Sequence, residues 1–156
     1  MTAISTGSLL TDSWTVVTDV IKDQLSDTSN NARAGSEMLL SAWPNRSNRN
    51  RREWTKYPFM IIKVNMDDDT NYTLNRGLKT KSVTFSSEVY DKSQANADQM
   101  TNQLIDILDI AEDGFEGSGL AQFRVESMSS NDITDLSGAF VHQKTLNWRY
   151  DYKGTR

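Results

Sequence analysis

The stretch Lys81-Ser82-Val83-Thr84-Phe85-Ser86-Ser87-Glu88-Val89-Tyr90-Asp91-Lys92-Ser93, running straight into Gln94-Ala95-Asn96-Ala97, contains the change of periodicity that sets the fold. Over Lys79 to Tyr90, Val83, Phe85 and Val89 point one way and Thr84, Ser86 and Glu88 the other. That alternation predicts a strand with one buried face. Asp91-Lys92-Ser93 then reads as a turn with Ser93 as a helix N-cap. Beyond it Ala97, Met100, Leu104, Ile107, Leu108 and Ala111 recur at three- and four-residue steps, the clearest helical stripe in the chain, with Gly114 as its expected stop.

Working outward, Tyr57-Pro58-Phe59-Met60-Ile61-Ile62-Lys63-Val64 is an apolar run opened by a proline and predicts a strand whose first residue needs no ladder donor. After the turn Gly117-Ser118-Gly119, Leu120 to Met128 reads as a third strand. Ala139 to Tyr152 reads as a fourth, with Phe140, His142, Leu146, Trp148, Tyr150 and Tyr152 on one side. Upstream, Trp14, Val17, Val20, Ile21 and Leu25 give a first helix over Asp12 to Leu25, capped by Thr11 or Asp12. Ser26 to Lys56 is rich in Ser, Asn and Arg around the apolar island Met38, Leu39, Leu40 and Trp43. It reads as a long loop or arm with room for one short helix. The expected fold class is therefore α+β, a four-stranded sheet with two main helices packed on one face and long polar loops. The 156 residues fit one domain, with the basic arm at about 26 to 56.

Composition narrows the function. There is no cysteine, which removes disulfides, thiolate zinc sites and cysteine nucleophiles, and the single histidine, His142, leaves little for an imidazole site. No apolar run approaches a membrane span. Met1 to Leu10 lacks a basic region followed by an apolar one, so a host-cytoplasmic place of synthesis is expected, with no membrane partner. The net charge of -4 gives no global attraction to nucleic acid, but the charges are segregated. Between Asn30 and Lys56 the bases Arg33, Arg46, Arg49, Arg51, Arg52 and Lys56 face the acids Glu37 and Glu53, a net of +4. Between Asp91 and Gly117 seven acids face Lys92 alone, a net of -6. Separated poles suit head-to-tail contacts between copies, because complementary potentials orient an encounter; two solvated surfaces of a monomer explain the same pattern.

Candidate sites of chemistry are weak. Asp67, Asp69 and Asn71 imitate the start of a calcium loop, but Tyr72 stands where its glycine belongs and Leu78 where its bidentate glutamate belongs, so an acidic turn is the better reading. His142 has no nucleophile motif around it, and Gly114 to Gly119 follows a helix and lacks a phosphate-loop lysine. No catalytic residue, cofactor or metal is expected. The basic run Asn45 to Arg52, flanked by Trp43 and Trp54, is the one segment suited to nucleic acid. The aromatic row Trp148, Tyr150 and Tyr152 near the chain end suits either a subunit interface or the core beneath the second helix.

With these elements in order, the two stretches Tyr57 to Ile62 and Lys81 to Ser93, the latter leading into the helix Ala95 to Ala111, resemble the tail-completion proteins of long-tailed phages. That group includes the lambda-type minor tail protein U and the tail-to-head joining proteins. The resemblance implies a structural virion protein of the tail or neck, not an enzyme. It would form a homo-oligomeric ring, a hexamer in that group, that caps the tail-tube protein and offers a docking face to the head connector or adaptor, with DNA passing only through the lumen. Residues expected at subunit or ring contacts are Arg46, Arg49, Arg51, Arg52, Trp54, Asp67, Asp69, Tyr72, Arg76, Trp148, Tyr150 and Tyr152. The long basic arm departs from the more compact members of the group. Two other readings compete: a neck adaptor bound to the portal, and a single-stranded nucleic-acid binder that presents aromatics on its sheet. The latter must expose those rings on central strands.

Overall fold

A computed structural model describes residues 9–28, 33–40, 57–67, 80–134, 138 and 140–153. In chain order these form α1 (Leu9–Gln24), α2 (Gly35–Met38), β1 (Leu39–Leu40), β2 (Phe59–Asp67), β3 (Thr80–Asp91), α3 (Gln94–Phe115), a 3-10 turn (Glu116–Ser118), β4 (Leu120–Thr134) and β5 (Phe140–Lys153). The protein is mixed α and β, with one sheet of order β1-β2-β3-β5-β4. The sheet has five strands where four were expected, because Leu39 and Leu40 of the apolar island pair in parallel with Met60 and Ile61. The third helix is the single turn α2 just before them. Every other pairing is antiparallel.

The periodicity change at Ser93 falls where expected. Asp91 accepts a hydrogen bond from the Ser93 N–H at 2.7 Å, and Ser93 Oγ accepts one from the Asn96 N–H at 3.4 Å, so turn and cap are made by the residues of the turn itself. Asp91 is buried, and this desolvation pushes its carboxyl above the usual aspartate range. α3 runs through Gly114 to Phe115, one residue past the expected stop, because Phe115 is itself fully buried.

α1 and α3 lie on the same face of the sheet. Their buried stripes, Val17 and Ile21 from α1 and Met100, Leu104 and Leu108 from α3, meet Met60 and Ile62 of β2, Val83, Phe85 and Val89 of β3, and Leu146, Trp148 and Tyr150 of β5. The rings interlock: Phe85 stacks on Trp148 across the β3–β5 pair at 5.4 Å and 6°, and Tyr150 meets Phe115 of α3 edge-on at 5.6 Å and 83°. The Tyr150 hydroxyl lies in this interior without a hydrogen-bonding partner, and burial, helped by Glu112 and Asp109, holds it in the neutral form well above its ordinary range. Trp14 anchors α1 to the sheet, its indole N–H donating to the Ile62 carbonyl at 3.2 Å. On the opposite face a smaller cluster of Phe59, Ile61, Tyr90 and Val141 closes one end of the sheet.

Because Leu104 and Leu108 are fully enclosed between α3 and the sheet, replacing either with alanine removes the core contact that seats the helix. Denaturant unfolding is expected to show a loss of about 2 to 5 kcal/mol for Leu104→Ala or Leu108→Ala.

Candidate interaction surface

The residues expected at contacts divide three ways. Arg46, Arg49, Arg51, Arg52, Trp54, Asp69, Tyr72 and Arg76 lie outside the described residues. Asp67 closes β2 opposite Ser82, and only its backbone is described. Trp148, Tyr150 and Tyr152 are 0%, 0% and 4% exposed, so the core alternative holds for all three and their expected interface role is corrected. The reason is geometric: even-numbered residues of β5 project toward α3, and the helix covers that row from Leu146 onward. Phe140, in the same row but beyond the helix, is 69% exposed.

The surface that sequence reading missed is β4. It was expected to end near Met128 and instead continues to Thr134. All nine residues from Arg124 to Asp132 are exposed, on both faces of the strand. A helix of 22 residues such as α3 reaches about 33 Å, whereas 15 residues of strand reach about 50 Å, so one helix cannot cover this hairpin. α3 packs on β3, β5 and the first residues of β4, where the Phe123 N–H donates to Glu112 at 2.9 Å, and leaves Val125 (42%) and Met128 (47%) open on the helix-bearing face. β4 is also the outermost strand of the sheet, hydrogen-bonded among the described residues to β5 alone. Two irregularities, between Ala121 and Arg124 and between Val125 and Ser127, each insert one residue. Gln122 takes up the first with a φ of 58°.

The face of the sheet away from the helices is polar along most of its length. Ser82, Thr84, Ser86 and Glu88 of β3 lie beside Thr145, Asn147, Arg149 and Asp151 of β5. Arg149 donates to Ser82 Oγ at 3.0 Å and lies 3.4 Å from Glu126 and 3.6 Å from Asp151. Arg124 reaches Asp151 at 2.9 Å. Lys63, Arg124 and Arg149 against Glu88, Glu126 and Asp151 make the described part of this face neutral. Of its aromatic rings, Phe59 and Tyr90 are buried in the end cluster and Tyr57, stacked on Phe59 at 5.6 Å, is partly buried, so the central strands of this face offer no exposed ring among the described residues.

A cleft of about 360 Å3 opens where α3 begins, lined by Gln94, Ala97, Asp98, Ser130, Asn131, Asp132, His142, Gln143 and Lys144. It gathers four ionisable groups in two pairs: His142 Nδ1 lies 2.7 Å from Asp132 Oδ1, and Lys144 Nζ lies 3.2 Å from Asp98 Oδ1. Among the described residues no group of three metal-ligating side chains converges. Among the described residues no helix is long and apolar enough to cross a membrane.

The charge poles also resolve. Asp106, Asp109 and Asp113 lie exposed along α3, as the acidic run implied. Arg33, counted from sequence with the basic arm, is internal: its guanidinium pairs with the buried carboxylate of Asp27 at 3.0 Å and donates to the Pro58 carbonyl at 2.7 Å. It ties the end of the α1–α2 connection to the start of β2. No protein-family model matches the chain, and no curated protein matches it in sequence.

Since Asp27 is almost wholly withdrawn from water, removing the Arg33 guanidinium takes away its charged partner and leaves the carboxylate with weaker, neutral donors such as the backbone N–H of residue 33 at 3.3 Å. Arg33→Ala is expected to cost about 3 to 5 kcal/mol in denaturant unfolding, far more than loss of a surface pair.

Proposed function

We propose that this chain is a structural subunit of a tailed virus, a tail terminator that forms a ring, caps the tail tube and joins the tail to the head connector. The observation that carries the reading is the long β4 edge, exposed on both faces from Arg124 to Asp132 at one side of the sheet. The sequence also segregates its charges, net +4 over 30–56 and -6 over 91–117, and unlike poles favour head-to-tail contacts, which close into rings when the rotation permits. The element order α1, β2, β3, α3, β4, β5 adds support, being the order on which the resemblance to tail-completion proteins rests.

The partners of such a ring are its own copies, the tail-tube protein below and the connector or adaptor above, with DNA only in transit through the lumen. A neck adaptor would use the same surfaces against the portal. The nucleic-acid-binding reading draws less support, because Trp148, Tyr150 and Tyr152 lie beneath the helices. The reading involves no catalytic step.

Arg49, Arg51 and Arg52 serve contacts in this scheme and contribute little to folding. The triple reversal Arg49→Glu, Arg51→Glu and Arg52→Glu is expected to abolish capping of preformed tail tubes, read by pelleting and electron microscopy, with a melting temperature within a few degrees of the parent. Undiminished capping together with a lowered melting temperature would contradict the assignment.

A further inference from the structure

We propose that the joint where β3 turns into α3 is a pH-operated latch, closed while Asp91 carries a proton and loosened when that proton leaves. The inference stands apart from the ring reading and concerns the subunit alone.

The last strand residue before the helix is a carboxylic acid in an interior position, 4% exposed. Its Oδ1 accepts the Ser93 N–H at 2.7 Å and so shapes the turn that Ser93 caps. Its Oδ2 is buried and, among the described residues, meets no hydrogen-bond donor. Ionised, the group would hold charge on an oxygen that has neither water nor donor, which costs far more than a neutral carboxyl in the same place.

The basic groups nearby do not remove that cost. Phe59 pairs with Tyr90 in the antiparallel ladder, which sets Pro58 beside Asp91, and the Arg33 guanidinium donates to the Pro58 carbonyl at 2.7 Å. Arg33 therefore stands close to Asp91, but it is bonded at 3.0 Å to Asp27, whose side chain is 1% exposed. Two interior carboxyls thus share the neighbourhood of one guanidinium. Desolvation is the largest influence on Asp91 and opposes its ionisation; Arg33 favours it and Asp27 opposes it. On the other side β5 places His142 opposite Asp91, and its Nδ1 is 2.7 Å from Asp132 of β4. Lys144 of β5 lies 3.2 Å from Asp98 of α3, and Lys92, the next residue in the chain, sits over the Tyr57 ring at 5.6 Å. Each of these basic groups faces another partner, and no three metal-ligating side chains converge among the described residues. A proton is what neutralises Oδ2.

The unfolded chain releases this proton at about pH 4, the ordinary aspartate value, and the folded chain holds it to higher pH. Stability therefore falls as pH rises through that interval and is level above it. Opening the turn lets the carboxylate reach water, so the loss falls first on the start of α3, whose Gln94, Ala97 and Asp98 also wall the cleft.

Melting curves of the parent and of Asp91→Asn, which keeps an acceptor for Ser93 and cannot ionise, test this from about pH 4 to about pH 8. The two are expected to agree at the acid end, with the variant melting higher as pH rises. Hydrogen exchange is expected to show the Asn96 and Ala97 amides of the parent losing protection over the same interval while the Leu104 amide keeps it; in the variant all three hold. A melting gap that does not change with pH would overturn the latch. So would a variant that melts below the parent at neutral pH, the result an ionised Asp91 held by Arg33 requires, or unchanged protection at Asn96 and Ala97. If the variant does not fold, NMR titration of the Asp91 carboxyl carbon in the parent decides: a midpoint above that of free aspartate supports the latch, and one at or below it overturns it. A melting temperature raised by calcium in the parent and not in the variant would put a metal ion in the proton's place and overturn the proposal.

Discussion

The ring stack of Phe85 on Trp148, braced by Tyr150 against Phe115, is the contact on which the architecture depends. It joins the two central strands to each other and both of them to α3, and it fixes the helix over the middle of the sheet. Large rings in offset and edge-on contact hold such a joint better than aliphatic side chains of equal area. With the helix held there, the interior is filled, and the distribution of exposed surface follows.

The main consequence falls on β4. A helix seated over β3, β5 and the start of β4 cannot cover the whole of an outer strand half again as long as itself, so β4 from Arg124 to Asp132 meets solvent on both faces. Fold and proposed assembly are thus linked by one geometric fact: the aromatic rings hold the subunit together, and the strand they leave uncovered is free for neighbours. The neutral, polar sheet face adds a broad surface with no fixed sign of charge, in keeping with contacts made at the edges.

Most of the fold was legible because its elements are half-buried. Val83, Phe85 and Val89 alternate, and Met100, Leu104 and Leu108 repeat at helical steps, since each element has one wet and one dry face. Periodicity failed where that condition failed. Ser129 to Asp132 show no apolar alternation because both faces are exposed, so the end of β4 had no pattern to read. β1 is too short for any period, and its pairing with Met60 and Ile61 is a tertiary fact. The row Trp148, Tyr150 and Tyr152 was correctly placed on one face, but sequence alone does not tell which layer covers that face. Arg33 was counted with a surface pole because nothing local marks its bond to Asp27 and Pro58. The remaining arm residues and the Asp69 to Arg76 segment lie outside the described residues, and the contact roles given to them rest on charge and on the resemblance.

The central claim is that the working form of this protein is a closed assembly of identical subunits. Electron microscopy of the purified chain tests it most directly. The account predicts uniform annular particles with an open centre and a mass that is a whole multiple of the 17.7 kDa subunit. Isolated particles of single-subunit mass at all concentrations, with no rings free or on tail tubes, would contradict it.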